Sequence, residues 1–167
     1  MSCSTIFNVL PQYTKVKFLK SIDGKPVEFT PTELFTPKEK AQLPLVRRGM
    51  YEVGNNPDGG TAYKLIHTAV VPLAVKTGTA QVVGISQTAK KRMKEADMDY
   101  FHRSHAWMTS FGPYDKPQYA VTVLVEHGGG GGSAAGPVIM QIYEKLAQMG
   151  YIDANATTNK DSTKKTK

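Results

Sequence analysis

A single cysteine, Cys3, stands in 167 residues, which excludes an internal disulfide and says nothing of redox compartment. No run approaches the ~20 apolar residues of a membrane-spanning helix. Met1 to Leu10 lacks the basic start and long apolar stretch of a secretory signal. As written, the chain therefore reads as a soluble cytoplasmic product. Aromatic residues make up only 9%, with one tryptophan. They are sparse around the basic clusters Lys90, Lys91, Arg92, Lys94 and Lys160, Lys164, Lys165, Lys167, which supply much of the +7 net charge. Basic runs without interleaved aromatics offer no platform on which bases stack, so no nucleic-acid partner is expected. Two short patterns are scarce as well. Ser-x-Asn does not occur, and Ser-x-x-Lys occurs only as Ser162-Thr163-Lys164-Lys165. That match lies in a low-complexity basic tail, residues 153–167, which reads as disordered.

What is present suits one ordinary domain with a core: 40% hydrophobic and 21% charged residues. Asp23-Gly24 marks a hairpin turn between a strand ending at Ile22 and Lys25–Phe29. Thr36, Pro37 and Glu39 form a helix start, and apolar spacing continues it through Leu43, Val46, Met50 and Val53. Pro44 offers an alternative start. A loop is expected over Gly54–Gly60. Strands are expected over Val70–Val83, His105–Phe111 and Tyr119–Glu126. The last has two largely apolar faces and so reads as central and covered on both sides. Gly128–Gly132 reads as a loop, followed by a helix with Pro137 in its first turn and Gly150 at its end. Val138, Ile139, Ile142, Tyr143, Leu146 and Met149 form its apolar stripe. Consecutive strands without intervening helices predict an α+β fold: antiparallel strands with a covering C-terminal helix.

Three familiar patterns carry little. Gly54–Thr61 imitates a phosphate loop but has Gly60 where the phosphate-binding lysine belongs, and it follows a helix rather than a strand. Gly129-x-Gly131-x-x-Ala134 fits a dinucleotide pattern, but five consecutive glycines fit almost any such pattern and no βαβ unit can be built around them. His102 and His105 are three apart at the start of a strand, where they point to opposite faces rather than chelate. No metal and no cofactor are implied.

Lys76-Thr77-Gly78-Thr79 is the motif that carries chemistry. It closes the apolar run Val70–Val75. Lys-Thr-Gly is one of three motifs that build the site of serine acyl-enzymes acting on penicillin-like amides, with Ser-x-x-Lys and a Ser-x-Asn element. Lys76 and Gly78 share one face of the strand, Thr77 and Thr79 the other. Glycine allows close backbone approach, and an ammonium beside hydroxyls suits a carboxylate. The bland alternative is an edge strand protected from aggregation by lysine.

Gly49–Val53, Gly59–Ala62 and Ala74–Val82 together resemble the transpeptidase domain of the penicillin-binding protein 2 family, the cell-elongation enzymes of bacterial peptidoglycan synthesis. His105-Ala106-Trp107, Phe111–Tyr114, Ala120–Glu126 and Ser133–Pro137 look like that domain's following strands and last helix. The resemblance covers about residues 20–150 and implies a partial transpeptidase domain over 17–152, with residues 1–16 an uncertain N-terminal segment. It implies that Lys76 sets the field and proton relay at a serine and that Thr77, Gly78 and Thr79 bind substrate. It also implies that the Thr79 N–H is an oxyanion-hole donor. Implied partners are a stem peptide ending in D-Ala-D-Ala, β-lactams and, for the full-length family member, elongation-machinery proteins. That full-length member is anchored in the inner membrane with this domain in the periplasm. Since the family's Ser-x-x-Lys precedes Lys-Thr-Gly, Ser162 stands in the wrong order, and the nucleophile is expected to be absent from these residues. The chain then reads as an inactive C-terminal part of an enzyme. The other reading is a non-catalytic binding or regulatory module on the same sheet.

Overall fold

The computed structural model describes residues 12–13, 21–28, 32–84 and 93–153. The cluster Lys90, Lys91, Arg92 and the tail with Ser162 lie outside them. Two small strand pairs come first. β1 (Gln12–Tyr13) pairs antiparallel with β4 (Thr32–Glu33), and β2 (Ser21–Ile22) with β3 (Lys25–Pro26). Asp23 and Gly24 both have positive φ, 49° and 76°, the geometry of the expected two-residue hairpin turn.

The single helix expected after Thr36 is two. α1 (Pro37–Lys40) has a capping box: Glu39 N–H donates to Thr36 Oγ1, and its carboxylate accepts from the Thr36 N–H at 2.8 Å. Thr36 N–H, and then its hydroxyl, hold the Glu39 carboxyl below the usual carboxylate range. α2 (Leu43–Asn55) starts afresh with Pro44 in its first turn. A proline there needs no N–H partner, whereas inside one continuous helix it would break a bond. α2 also runs into the expected Gly54–Gly60 loop. Gly54 is buried because Ile66 and the strand residue Val75 close over it, leaving Asn56–Gly60 as the loop. A short helix, α3 (Tyr63–Ile66), follows where none was expected.

β5 (Ala74–Ala80), β6 (His105–Gly112) and β7 (Tyr119–Val125) form an antiparallel sheet in that order. β5 is shorter than the Val70–Val83 reading. Pro72 has no N–H to give a ladder, and the carbonyls before Ala74 turn elsewhere: Pro72 O accepts from Tyr114 N–H and Leu73 O from Asn55 Nδ2. β7 is not central. β6 is the middle strand, and Thr122 and Leu124 of β7 are exposed, so the apolar reading of both faces did not predict burial.

α4 (Gly131–Gln148) lies across one face of the sheet. Ile139 and Tyr143 of its expected stripe are buried, with Ala135 and Gly136, while Val138 and Met149 are exposed. The helix begins at Gly131, so two of the five loop glycines are helical and Pro137 lies inside the helix. Gly150, at φ 73°, ends it, with Tyr151 N–H bonded back to Leu146 O. Val71, Leu73, Val75, Met108, Ile139 and Ile152 are central to the core between α2, α3, α4 and the sheet. Among the described residues no helix is long and apolar enough to cross a membrane.

Candidate active-site wall

The alternation of a strand sorts the Lys76–Thr79 motif onto two faces. Lys76 and Gly78 pair with Thr109 and Trp107 on the outer face of the sheet. Thr77 and Thr79 pair with Met108 and Ala106, both fully buried, on the face that carries α4. Among the described residues β5 is an edge strand of this sheet: β6 pairs with one side of its backbone and no strand pairs with the other.

Lys76 is exposed, and its Nζ donates to the Thr77 carbonyl at 2.6 Å. Among the described residues no carboxylate pairs with it. Thr79 is exposed too, and its Oγ1 accepts the N–H of Gly131, the first residue of α4, at 3.3 Å. The start of α4 thus lies beside the motif, adding the partial positive charge of unpaired helix N–H groups to that of the ammonium. A positive field, two hydroxyls and a strand edge are brought together here, a set of groups whose chemistry suits an anion such as a carboxylate.

Glycine is required on the helix side of this contact and is the easier fit on the strand side. A Cβ on Gly78 would stand 3.3 Å from Trp107 Cβ, tight but adjustable. A Cβ on Gly131 would collide with the backbone carbonyl oxygens of Gly78 and Trp107. A Cβ on Gly132 would stand 2.9 Å from Leu65 Cδ1, and Thr77 Cγ2 lies beyond it at 3.7 Å. The sequence singled out Lys76, Thr77, Gly78 and Thr79, and the fold keeps them contiguous. It missed Gly131 as their neighbour, because a run of five glycines does not say which one touches another strand.

Of the two histidines discounted as a metal pair, His102 ends a short helical turn, Tyr100–His102, before β6 rather than sharing the strand; it is exposed, 3.8 Å from the Asp99 carboxylate, while His105 turns to His127, ring centroids 4.6 Å apart. Among the described residues no three histidine, cysteine, aspartate or glutamate side chains gather to hold a metal.

The chain is similar to several known proteins in sequence and in fold. The penicillin binding protein transpeptidase domain family matches residues 4–144. The peptidoglycan D,D-transpeptidase MrdA of Salmonella typhimurium is 36% identical over 102 residues, 61% of this chain and 16% of the relative. MrdA of Haemophilus influenzae is 34% identical over 131 residues, 75% of this chain and 20% of the relative. Among solved structures, penicillin-binding protein PBP2 of Helicobacter pylori in complex with MreC has a TM-score of 0.64 at 43% identity, over 79% of this chain and 21% of that one. Pseudomonas aeruginosa PBP2 in complex with WCK 5153 has a TM-score of 0.64 at 28% identity, over 95% of this chain and 31% of that one. The chain spans 16% to 20% of the length of these two curated relatives.

Proposed function

Because the chain belongs to the penicillin-binding protein transpeptidase domain family, we propose that it forms the C-terminal, carboxylate-binding wall of a peptidoglycan D,D-transpeptidase site. The carrying observation is the open edge of β5, where Lys76, Thr77 and Thr79 stand beside the start of α4. In this reading the Thr77 and Thr79 hydroxyls bind the terminal carboxylate of a D-Ala-D-Ala stem peptide, or the matching carboxylate of a β-lactam. Gly78 keeps the strand flat enough for the ligand to lie along it. The reactive carbonyl then falls at the strand edge.

Backbone direction supports a role for the Thr79 N–H. In an extended strand the N–H and C=O of one residue point to the same edge, and residues two apart share it. The Thr77 carbonyl accepts from Lys76 Nζ at 2.6 Å, and in this reading it faces the side of β5 opposite β6. The Thr79 N–H shares that direction and would donate to the oxyanion of the tetrahedral intermediate. Removing one such donor costs about 100- to 1,000-fold in rate. Lys76 would set the field at a serine hydroxyl and relay its proton.

This chain holds no serine in the family's place for it: Ser-x-Asn is missing, and Ser162 follows the motif it should precede. The chain supplies one wall, and the nucleophile wall belongs to an upstream part of the same domain. In this reading an inner-membrane anchor and elongation partners belong to the full-length protein, and the MreC complex of the Helicobacter pylori relative supports the partners.

Two measurements on the 167-residue chain test this. Intact mass after incubation with benzylpenicillin is expected to be unchanged, and a covalent adduct on any serine would overturn the missing nucleophile. Titration with N-acetyl-D-Ala-D-Ala is expected to shift the amide resonances of Thr77 and Thr79. No shift at either would overturn the carboxylate site.

A further inference from the structure

A second set of contacts joins the β5–β6 connection to the glycine turn before α4, and the carboxylate site makes no direct use of it. His105, the first residue of β6, stands opposite Ala80, one pair beyond Thr79 and Ala106. Its Nδ1 accepts the backbone N–H of His127 at 2.9 Å. His127 has φ 52°, a left-handed conformation that non-glycine residues adopt at a cost and that local contacts must hold. Its own Nδ1 lies 3.1 Å from the Arg103 carbonyl. A carbonyl only accepts, so Nδ1 of His127 carries the proton and donates. Two residues on, Gly129 N–H donates to Ser104 O at 2.8 Å. Ser104 is gripped in turn by Glu95, whose carboxylate accepts from its N–H and its hydroxyl at 2.8 Å each. The turn so held delivers Gly131 to Thr79.

We propose that His105 is a positioning residue for Thr79: its Nδ1 fixes the His127 turn, the turn sets where α4 begins, and the Gly131 N–H orients the Thr79 hydroxyl. With one lone pair of Oγ1 taken by that N–H, the hydroxyl proton points away from α4, free to donate to a ligand. The inference rests on Thr79 as a ligand group only for its consequence; the linkage itself needs no ligand.

Protonation tests the linkage, because a proton on His105 Nδ1 turns the acceptor into a donor facing another donor. The ionisable groups around it include Glu126, which follows the Val125 that pairs with Ala106 and so stands across from His105. The connection brings Glu95 through Ser104, and Arg103 with its guanidinium over the Tyr100 ring. His102 and Asp99 lie on the same connection, and the His127 ring is tilted 59° against that of His105. β5 contributes Ala80, and the start of α4 contributes glycines.

The experiment is amide hydrogen exchange on the ligand-free 167-residue chain, with rates corrected for intrinsic pH dependence. It runs from about pH 8 to about pH 5, the interval in which imidazoles change charge. Protection of Gly131 and His127 is expected to fall together, about tenfold, as one net hydrogen bond is lost on acidification. His105→Ala is expected to lack that protection throughout. His105→Asn is expected to keep it at both ends, since its Oδ1 can stand near the Nδ1 position and does not titrate. Ile139, in the core of α4, is the fold control and should not change. Equal Gly131 protection in the wild type and His105→Ala, flat with pH, overturns the proposal, as does His105→Asn behaving like alanine. If the linkage holds while N-acetyl-D-Ala-D-Ala shifts neither Thr77 nor Thr79, the carboxylate reading fails and the positioning role stands.

Discussion

Gly131 and Gly136 lie on one helix and are glycine for different reasons. At Gly131 a side chain would meet the carbonyl oxygens of Gly78 and Trp107, which are backbone and cannot swing away. At Gly136 the nearest atoms to an added Cβ are Leu65 Cβ at 3.5 Å and Met108 Cε at 3.6 Å, ordinary contact distances. Alanine at 136 therefore fills space and improves helix propensity, and Gly136→Ala is expected to stabilise the fold by about 1 kcal/mol. Gly131→Ala is expected to destabilise it by about 2 kcal/mol or more, through overpacking. It should also detach the start of α4 from Thr79. Denaturant unfolding of the two variants measures the contrast, and equal effects would show that α4 does not sit on β5 as described. Lys76, Thr77, Gly78 and Thr79 were legible one by one, because a strand's alternation is local. Their partner Gly131 was not, because five adjacent glycines are indistinguishable until another strand approaches one of them.

The docking of α4 on the sheet depends on a polar contact inside an apolar face. Tyr143 is fully buried; its hydroxyl donates to Tyr119 O at 3.2 Å and lies 3.4 Å from Ser110 Oγ, which also donates to Val121 O. Burial pushes the Tyr143 phenol up to about 12, partly offset by the Ser110 hydroxyl. The folded state thus holds its proton more tightly than the unfolded chain, where tyrosine titrates near ~10. That stabilisation is fully present below about pH 10 and is lost as pH rises through about 12, on the order of 2–3 kcal/mol in all. Unfolding free energies between about pH 9 and about pH 12 should fall more steeply for the wild type than for Tyr143→Phe. Parallel slopes would show that the phenol is not buried against the sheet. Other differences at this scale have equally local causes. Pro44 starts a new helix, Pro72 delays β5, and Gly54 belongs to α2 because Val75 and Ile66 cover it.

At the scale of the molecule, the sheet has one covered face and one that is partly bare. Trp107 and Leu124 form a cross-strand pair on the outer face and are 41% and 43% exposed. Neighbouring exposed apolar side chains beside an open strand edge favour association. The chain is expected to self-associate with concentration, and Trp107→Thr with Leu124→Thr is expected to shift it toward monomer while leaving far-UV dichroism unchanged. Sedimentation velocity reads this, and a wild-type monomer at all concentrations would overturn it. Much of the architecture could be read without coordinates, since hairpin turns, helix caps, strand alternation and the spacing of Lys-Thr-Gly arise within a few residues of one another. The resemblance of Ala74–Val82 and its companions to penicillin-binding transpeptidases was legible for the same reason, and the family match over residues 4–144 bears it out. Three things waited for the fold: that β6 rather than β7 is the middle strand, that α4 begins against Gly78, and that His105 meets His127. Each joins residues far apart in the chain, and only close packing of one backbone on another chooses among the partners that local chemistry leaves equal.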